Sequence, residues 1–320
     1  MSDHLKKKLL LVGSGLMAEE YAKVLDKLNM QYDVVGRGSA SAEKFETLFN
    51  KKVHKGGIQS YFTKNSSHYT HAIVTTGIDQ LKDTAMILLE NNVSHILLEK
   101  PGGMDLSEMR NIQLIADSRK ANVLIAYNRR FYTSVLEAQR IIEKDGGVSS
   151  FHFEFTEWSH VIEPSSTPMS IKNKWFLANS THVADLAFYL GGQPSELKSY
   201  LGGKLDWHGH SKFTGAGIAV NGAPFSYHAN WDSPGRWAVE ILTPHHRLYF
   251  KPMETLQIQR KGSVKVEIVE IEDGIDKEFK PGIYRQTKAF LLGDHQNFCT
   301  VREQVEKMKW YNLMSGYESE

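Results

Sequence analysis

The chain has 320 residues, about twice the length of a typical domain of roughly 150 residues, and its length therefore predicts two domains. Hydrophobic residues make up 41% of the chain and charged residues 23%, a composition that excludes a disordered or collagen-like protein. The 38 basic and 37 acidic side chains nearly cancel, so the chain lacks the basic field that holds nucleic acid or an anionic membrane.

The sequence also carries signals about location. The longest apolar runs, such as 85–89, fall far short of the roughly 20 residues that a membrane span needs. The segment 1–8 is basic, but it lacks the apolar stretch ending in small residues that marks a signal peptide. Cys299 is the single cysteine, which excludes an internal disulfide. We expect a cytoplasmic protein that binds neither nucleic acid nor membrane.

Through the first 125 residues, short β-like runs alternate with helical patterns. Strands are predicted over 8–12, 33–36, 71–75, 95–98 and 123–126, and helices over 16–28, 42–49, 81–91 and 106–120. This alternation predicts an α/β domain with a doubly wound parallel sheet.

Beyond residue 147 the pattern changes to alternating apolar and polar residues. Strands are predicted over 148–158, 197–207, 225–231, 237–243, 247–250, 256–260 and 264–271, with a helix near 181–190 and a final helix over about 286–314, interrupted near Gly293. Many successive strands joined by short turns predict a mostly antiparallel sheet with one face that is exposed or forms an oligomer contact.

A G-x-G-x-x-A string, Gly13 to Ala18, lies between the first predicted strand and the first predicted helix. Glycines at this junction allow a tight turn and close approach of backbone N–H groups to a pyrophosphate. The placement favours a dinucleotide site, and the alternative is a glycine turn in another α/β fold.

The end of the second strand predicts which dinucleotide binds. Asp33 precedes Val34 and Val35, so it lies at the start of that strand, roughly 13 Å from the carboxyl end at about 3.3 Å per residue. The carboxyl end carries Arg37 and Ser39 with no carboxylate, and a guanidinium suits a ribose phosphate. The pattern favours NADP over NAD, unless Arg37 only stacks on adenine.

Two further motifs carry chemical groups. In Glu99-Lys100-Pro101 the proline holds Lys100 extended at the carboxyl end of a strand, where the ligands of such sheets bind. His182 falls in the first turn of a predicted helix, with Asp185 one turn further on the same face. His182 is a candidate acid or base, and the alternative is a hydrogen-bonded structural histidine.

In this order, the motifs resemble those of the glucose-fructose oxidoreductase, inositol dehydrogenase and rhizopine-catabolism (Gfo/Idh/MocA) family. The resemblance matches Gly13 to Ala18 with the glycine loop, 99–101 with E-K-P, 128–131 with N-x-R-F and 182–185 with H-x-x-D. It implies a dinucleotide-binding Rossmann domain over 1–125. It also implies an α/β domain over 126–320 that binds substrate and forms a homodimer or homotetramer.

The resemblance implies hydride transfer between NADP and a secondary hydroxyl or keto carbon of a sugar or nucleotide-sugar. Lys100 and His182 are the expected catalytic pair: Lys100 would move the hydroxyl proton, and His182 would orient the oxygen or relay the proton. The expected cofactor contacts are Gly13, Ser14, Gly15, Leu16, Met17, Arg37, Ser39, Thr75, Thr76, Glu99 and Lys100. The expected substrate contacts are Lys100, Asn128, Arg130, Trp175, Asn179 and His182. No metal is expected.

Two departures from the family pattern stand out. Many members have an aspartate four residues before the histidine, where this chain has Ala178, and a T-P-x-x-x-H where this chain has Thr75 to Leu81 without the proline or histidine. Two alternatives stay open. One is a reductase of an imine or a non-sugar carbonyl, because the motifs do not fix the hydride acceptor, and the other is a cofactor-binding protein without turnover, for which Ala178 is the hint. The polar stretch 163–168, between Trp158 and Trp175, is a further candidate for lining the substrate.

Overall fold

The computed structural model describes residues 8–317, and the chain forms two compact units. Within the described residues, the first unit combines 8–128 with 278–306, and the second combines 129–277 with 307–317. Most of the N-terminal segment from which the location was predicted lies outside the described residues.

The strands in chain order are β1 Leu9–Val12, β2 Tyr32–Val35, β3 Val53–His54, β4 His71–Val74, β5 His95–Leu98, β6 Asn122–Ile125, β7 Ser150–Glu154, β8 Pro194–Gly202, β9 Lys212–Ala219, β10 Pro224–Asn230, β11 Ala238–Leu242, β12 His246–Phe250, β13 Gln257–Arg260, β14 Val266–Ile268 and β15 Cys299–Thr300.

The α-helices are α1 Leu16–Lys27, α2 Ser39–Phe49, α3 Gly57–Lys64, α4 Leu81–Glu90, α5 Leu106–Arg119, α6 Thr133–Lys144, α7 Ser159–Ile162, α8 Met169–Lys172, α9 Thr181–Gly191, α10 Gly274–Glu278, α11 Ile283–Leu292 and α12 Val301–Ser315. Short 3₁₀ turns occupy Ile78–Gln80 and Asn128–Phe131, and a π-helical turn, Phe176–Ser180, leads into α9. None of these described helices has both the length and the apolar composition that a membrane span requires.

The first unit is built on a seven-stranded sheet in the order β15-β6-β5-β4-β1-β2-β3. Its pairings are parallel except that β15 runs antiparallel to β6, which confirms the predicted doubly wound sheet. All four residues of β1 are buried, as expected of a parallel strand covered on both faces. Strand β1 lies between β4 and β2. The connection after β1 leads to one side of it and the connection after β3 leads to the other side, which opens a crevice at the carboxyl end of β1.

The second unit contains an eight-stranded sheet in the order β14-β13-β12-β11-β7-β10-β9-β8. Only β7 and β10 pair in parallel among its described strands, so the predicted mostly antiparallel sheet is confirmed. Helix α9 packs on β7 and β11. Along β10, Phe225 and Tyr227 are buried whereas Ser226 and His228 are exposed, so one face of the sheet is open.

Strand β9 was not predicted, because its sequence K-F-T-G-A-G-I-A contains two glycines, which are poor strand formers. The fold explains them by close packing. A Cβ on Gly217 would lie 2.0 Å from the Glu196 carbonyl oxygen, and one on Gly215 would lie 2.4 Å from Tyr227 Oη. The glycines therefore allow β9 to pass under neighbouring groups that leave no room for a side chain.

The prediction of one interrupted helix over 286–314 is partly wrong. Helix α11 does end at Gly293, which has a φ of +74°. The chain then forms β15, in which Cys299 pairs with Ile125 and Thr300 with Leu124, before α12 begins at Val301. A two-residue strand has no periodicity of its own, so the sequence pattern could not show it.

A buried ion cluster ties together three distant segments of the second unit. Arg130 donates to both carboxylate oxygens of Asp185, from Nε at 2.8 Å and from Nη2 at 2.7 Å. Lys307 Nζ donates to Oδ1 of the same aspartate at 2.7 Å. The side chains of all three residues are at most 2% exposed. The two cations hold the pKa of Asp185 below its usual range against the effect of burial.

We expect Asp185→Asn to lower the free energy of unfolding by about 3–5 kcal/mol, because it leaves two buried cations without a countercharge. Urea unfolding at pH 7 measures the change. Asp206→Asn, which removes an exposed carboxylate in the same unit, is the matched control. A loss below about 1 kcal/mol for Asp185→Asn would show that the cluster contributes little to stability.

Candidate functional site

The carboxyl end of β1 is packed too tightly for any residue but glycine. Gly13 has a φ of +118°, and a Cβ there would lie 2.3 Å from Thr75 Oγ1. The backbone N–H of Gly13 donates to the Val35 carbonyl at 2.8 Å, and that of Thr75 donates to the Val12 carbonyl at 2.7 Å. Gly13 and Thr75 thus lie side by side where β1, β2 and β4 end.

The loop after Gly13 leaves the start of α1 open. Gly15 is the N-cap of this 12-residue helix, with a φ of −91°, and no side chain caps the helix. A Cβ at Gly15 would meet nothing within 4 Å. Leu16 is 73% exposed, whereas Ser14 is buried with its Oγ 3.0 Å from Ser41 Oγ. The first N–H groups of α1 are therefore available to an anion.

A cavity of about 250 Å³ lies at this edge of the sheet. Its lining includes Gly13, Gly36, Arg37, Gly57, Thr76 and Gln80. Thr76 Oγ1 is buried without a hydrogen-bond partner among the residues from 8 to 317. The cavity therefore brings four of the expected elements together: the glycine loop, the end of β2, Arg37 and the loop after β4.

Arg37 is exposed and is oriented by one neighbour. With its carboxamide turned so that donors face acceptors, Gln80 accepts from Nη1 and Nη2 of Arg37 at 3.0 and 3.1 Å. Asp33, the second residue of β2, accepts instead from Tyr69 Oη at 2.5 Å. Beside the end of β2 the cavity therefore presents a guanidinium, and the aspartate of β2 is engaged elsewhere.

The E-K-P segment lies at the same edge. The Glu99 N–H donates to the Val74 carbonyl at 3.0 Å, which keeps the segment aligned beyond β5. The Glu99 carboxylate accepts from Tyr21 Oη at 3.1 Å. Burial raises the pKa of Glu99, and the nearby positive charge of Lys100 opposes that shift. The peptide bond between Lys100 and Pro101 is cis.

In the second unit, a buried glutamate holds the segment that precedes His182. Glu157 is 2% exposed and accepts from Asn179 Nδ2 at 3.0 Å and from Ser180 Oγ at 2.7 Å. Burial raises the pKa of Glu157 despite these hydrogen bonds. Glu157 was not predicted from the sequence. The available signal was a break in the apolar–polar alternation of the run 151–158, where Thr156 and Glu157 are polar in succession.

Next to Glu157 lies an arginine–tryptophan cluster, which comprises Arg129, Trp158, Arg236 and Trp237. The Arg236 guanidinium carbon lies 4.6 Å from the ring centroid of Trp158 and 4.5 Å from that of Trp237. The Arg129 guanidinium carbon lies 4.8 Å from the Trp237 centroid. The His182 ring centroid lies 6.0 Å from Trp237. The histidine singled out from the sequence therefore adjoins this cluster through the ring of Trp237.

The remaining expected substrate contacts have other partners. Arg130 is committed to Asp185 in the buried ion cluster. Asn128 is 5% exposed and donates from Nδ2 to the Pro281 carbonyl at 3.0 Å. The Trp175 ring packs edge-on against Trp207, with centroids 6.1 Å apart. These contacts place all three side chains in the packing of their own units, although Trp175 Nε1 is buried without a hydrogen-bond partner among the described residues.

The polar stretch 163–168 is held by a buried lysine. Lys172 is 5% exposed, and its Nζ donates to the carbonyl oxygens of Glu163 at 2.7 Å and Ser165 at 2.9 Å. The ammonium group of Lys172 thus fixes two backbone carbonyls of the stretch. Val161 and Met169, on either side of the stretch, are largely exposed.

Three solved structures share this fold over nearly their whole length. The first is a UDP-N-acetylglucosamine 3-dehydrogenase from Acidithiobacillus ferrooxidans, with a TM-score of 0.76 and 15% identity over 98% of this chain and 97% of that one. The second is an oxidoreductase from Agrobacterium radiobacter in complex with NAD⁺, L-tartaric acid and magnesium, with a TM-score of 0.78 and 11% identity over 98% of this chain and 96% of that one. The third is a levoglucosan dehydrogenase in complex with NADH and L-sorbose, with a TM-score of 0.78 and 16% identity over 97% of this chain and 96% of that one. No curated protein matches the chain in sequence.

The glycine loop, the cavity beside it and the open-faced second sheet define the class of protein, a dinucleotide-dependent oxidoreductase with a Rossmann domain. Residues 7–127 match the model of the oxidoreductase family with an NAD-binding Rossmann fold, GFO_IDH_MocA. Residues 7–127 thus carry the NAD-binding Rossmann domain of this oxidoreductase family, as the glycine loop and the E-K-P segment predicted.

The two loop glycines offer a matched pair of variants. We expect Gly13→Ala to lower the free energy of unfolding by about 1–3 kcal/mol, because its Cβ meets Thr75 and its φ is strained. Gly15→Ala has free space and should change it by less than about 0.5 kcal/mol.

Both variants should reduce the rise in melting temperature on adding cofactor, since the new methyl group of either one lies where the backbone must approach the pyrophosphate. Equal stability of the two variants without cofactor would contradict the packing described here.

Proposed function

We propose that this protein is an NADP-dependent oxidoreductase that transfers a hydride between the nicotinamide and a secondary hydroxyl or keto carbon of a sugar or nucleotide-sugar. The observation that carries the cofactor assignment is Arg37 on the lining of the cavity beside Gly13, in a part of the chain where no carboxylate follows β2 before α2. The sugar assignment is supported by the names of two neighbours in structure, a UDP-N-acetylglucosamine dehydrogenase and a levoglucosan dehydrogenase.

The residues present fit a dinucleotide. The uncapped start of α1 suits a pyrophosphate, Gly15 leaves space for it, and the buried Thr76 Oγ1 would gain a hydrogen-bond partner in the cavity. When bound, the nicotinamide would accept or return the hydride. We propose Gly13 to Met17, Thr75 and Thr76 as the residues that hold the cofactor.

Arg37 is the proposed reader of the 2′-phosphate. Gln80 accepts two hydrogen bonds from one side of the guanidinium and so limits its rotation, which lowers the entropic cost of binding. Ser39 begins α2, whose cap, Gly38, supplies no side chain, so the N–H groups of its first turn are also available to a phosphate.

We propose Lys100 as the group that moves the substrate proton. Its amine would accept the hydroxyl proton at Nζ as the hydride departs and return it in the reverse direction. The neighbouring Glu99 carboxylate stabilises the ammonium form electrostatically. His182 is proposed to orient the reacting oxygen, because Asn179 and Ser180 are anchored on Glu157 and hold the first turn of α9 in place.

The cofactor assignment predicts a selective effect of Arg37→Gln. Losing one charge-assisted contact should weaken NADP binding about 10–100-fold and leave NAD binding unchanged. Melting temperature as a function of cofactor concentration measures both affinities. Arg140→Gln, at an arginine that is 78% exposed in the second unit, is the control. Equal weakening of NAD and NADP would contradict the role of Arg37.

The catalytic assignment predicts that Lys100→Met and His182→Ala each lower kcat about 100- to 10,000-fold while the cofactor still raises the melting temperature. Turnover is measured with NADP across a panel of free sugars and nucleotide-sugars. Unchanged turnover in both variants would reject the proposed pair. Activity confined to cyclic imines would reject the sugar as substrate and keep the hydride transfer.

A further inference from the structure

The arginine–tryptophan cluster concentrates positive charge at one place in the second unit. Arg129 and Arg236 both lie against Trp237, and Glu157 is the one carboxylate that contacts the cluster among the residues the structure describes. Within 4 Å, the two guanidinium groups thus have one described carboxylate between them, that of Glu157. The hydride transfer proposed above does not use either arginine, so their presence requires a separate explanation.

Arg129 is a half-buried cation whose charge is not compensated locally. Its Nε is buried without a hydrogen-bond partner, and no carboxylate oxygen of residues 8–317 lies within 4 Å of its guanidinium nitrogens. Glu157 and Glu254 act on it only at longer range, and burial lowers its pKa. Removing a charge from water without pairing it is costly. A ligand with a negative charge would offset that cost.

Arg236 is held in place without using up its hydrogen-bond donors. It lies between the rings of Trp158 and Trp237, and stacking of this kind fixes the guanidinium plane but leaves the N–H groups at its edge available. Its distance to Glu157 Oε2 is 3.8 Å, beyond a hydrogen bond. The side chain is 44% exposed, so a ligand can reach it.

Glu157 does not neutralise this pair of arginines. Its carboxylate is occupied by Asn179 and Ser180, and its burial disfavours the ionised form. The other nearby titratable group, His182, is either neutral or positive. Within contact distance the charge is therefore positive in either protonation state of Glu157, because the Glu254 carboxylate acts on Arg129 only at longer range.

We infer that Arg129 and Arg236, held against Trp237 beside His182, bind a carboxylate or phosphate group carried by the sugar substrate. This inference rests on the proposed function, because it assumes that the second unit binds the sugar. Guanidinium groups bind carboxylates and phosphates through paired N–H donors, which neutral hydroxyls match poorly. The substrate is therefore a sugar acid or a phosphorylated sugar, including a nucleotide-sugar, rather than a neutral sugar.

The test is a calorimetric binding experiment on the full-length protein with matched sugars. Glucose, galactose and mannose are compared with their uronic acids and with their 6-phosphates, and UDP-N-acetylglucosamine is added to the series. The variants are Arg236→Gln and Arg129→Gln, and the melting temperature of each shows whether it folds. Arg247→Gln is the matched control, since Arg247 also lies on an aromatic ring, that of Tyr249, and is paired with Glu240.

We expect at least one acidic form to bind at least about 10-fold more tightly than its neutral parent, and Arg236→Gln to remove that preference. The preference should also weaken as salt is raised. Stronger binding of the uronic acids identifies a carboxylate, and stronger binding of the phosphates or UDP-N-acetylglucosamine identifies a phosphate. Arg129→Gln should reduce binding of the same ligand if it folds, and Arg236→Gln alone decides the result if it does not.

Three results would overturn the inference: equal binding of neutral and acidic sugars, a preference for acidic sugars that survives Arg236→Gln, or no binding of any acidic sugar at concentrations up to about 10 mM. The proposed function is tested separately by hydride transfer. Turnover of a neutral sugar that is insensitive to Arg236→Gln would overturn the anionic substrate and leave the oxidoreductase assignment intact. Binding of an acidic sugar that depends on Arg236, without turnover of any sugar, would keep the anion site and contradict the proposed hydride transfer to a sugar.

Discussion

The carboxylate of Asp185 forms ion pairs with two buried cations, and the placement of α9 depends on these pairs. Arg130 comes from the turn after β6 and Lys307 from α12, so a single aspartate joins three segments that are far apart in sequence. His182 lies one turn before Asp185 on the same helix. On its other side, Glu157 holds Asn179 and Ser180. The helix start that bears His182 is thus fixed by two buried carboxylates.

The two units present their functional groups by different physical means. In the first unit the backbone forms the site: Gly13 admits a close approach, and the uncapped α1 offers N–H groups that need no side chain. In the second unit charged side chains would form the proposed substrate site, on a scaffold of buried aromatic residues. Backbone recognition suits a cofactor shared by many enzymes, whereas side chains can change with the substrate. This difference explains why local motifs indicate the cofactor and leave the substrate open.

The sequence predicted what depends on contiguous residues. Each predicted strand and helix, the glycine loop and the E-K-P segment occupies a short contiguous stretch of sequence. The parallel sheet followed from the order in which these stretches alternate. The site of the second unit could not be read in this way, because Glu157, Asn179 and Arg236 come from three separate segments. Likewise Arg130 was expected to contact substrate, since its pairing with Asp185 across 55 positions has no local signature.

Strand β15 has a consequence for how the protein is made. Cys299 and Thr300 form the edge of the first sheet beside Leu124 and Ile125, yet more than half of the chain is synthesised between these two pairs. During translation the backbone groups at the edge of β6 remain unpaired for that whole interval, and unpaired strand edges are where nascent chains associate wrongly. The Rossmann sheet therefore keeps one open strand edge while the whole of 129–277, the main segment of the second unit, is synthesised.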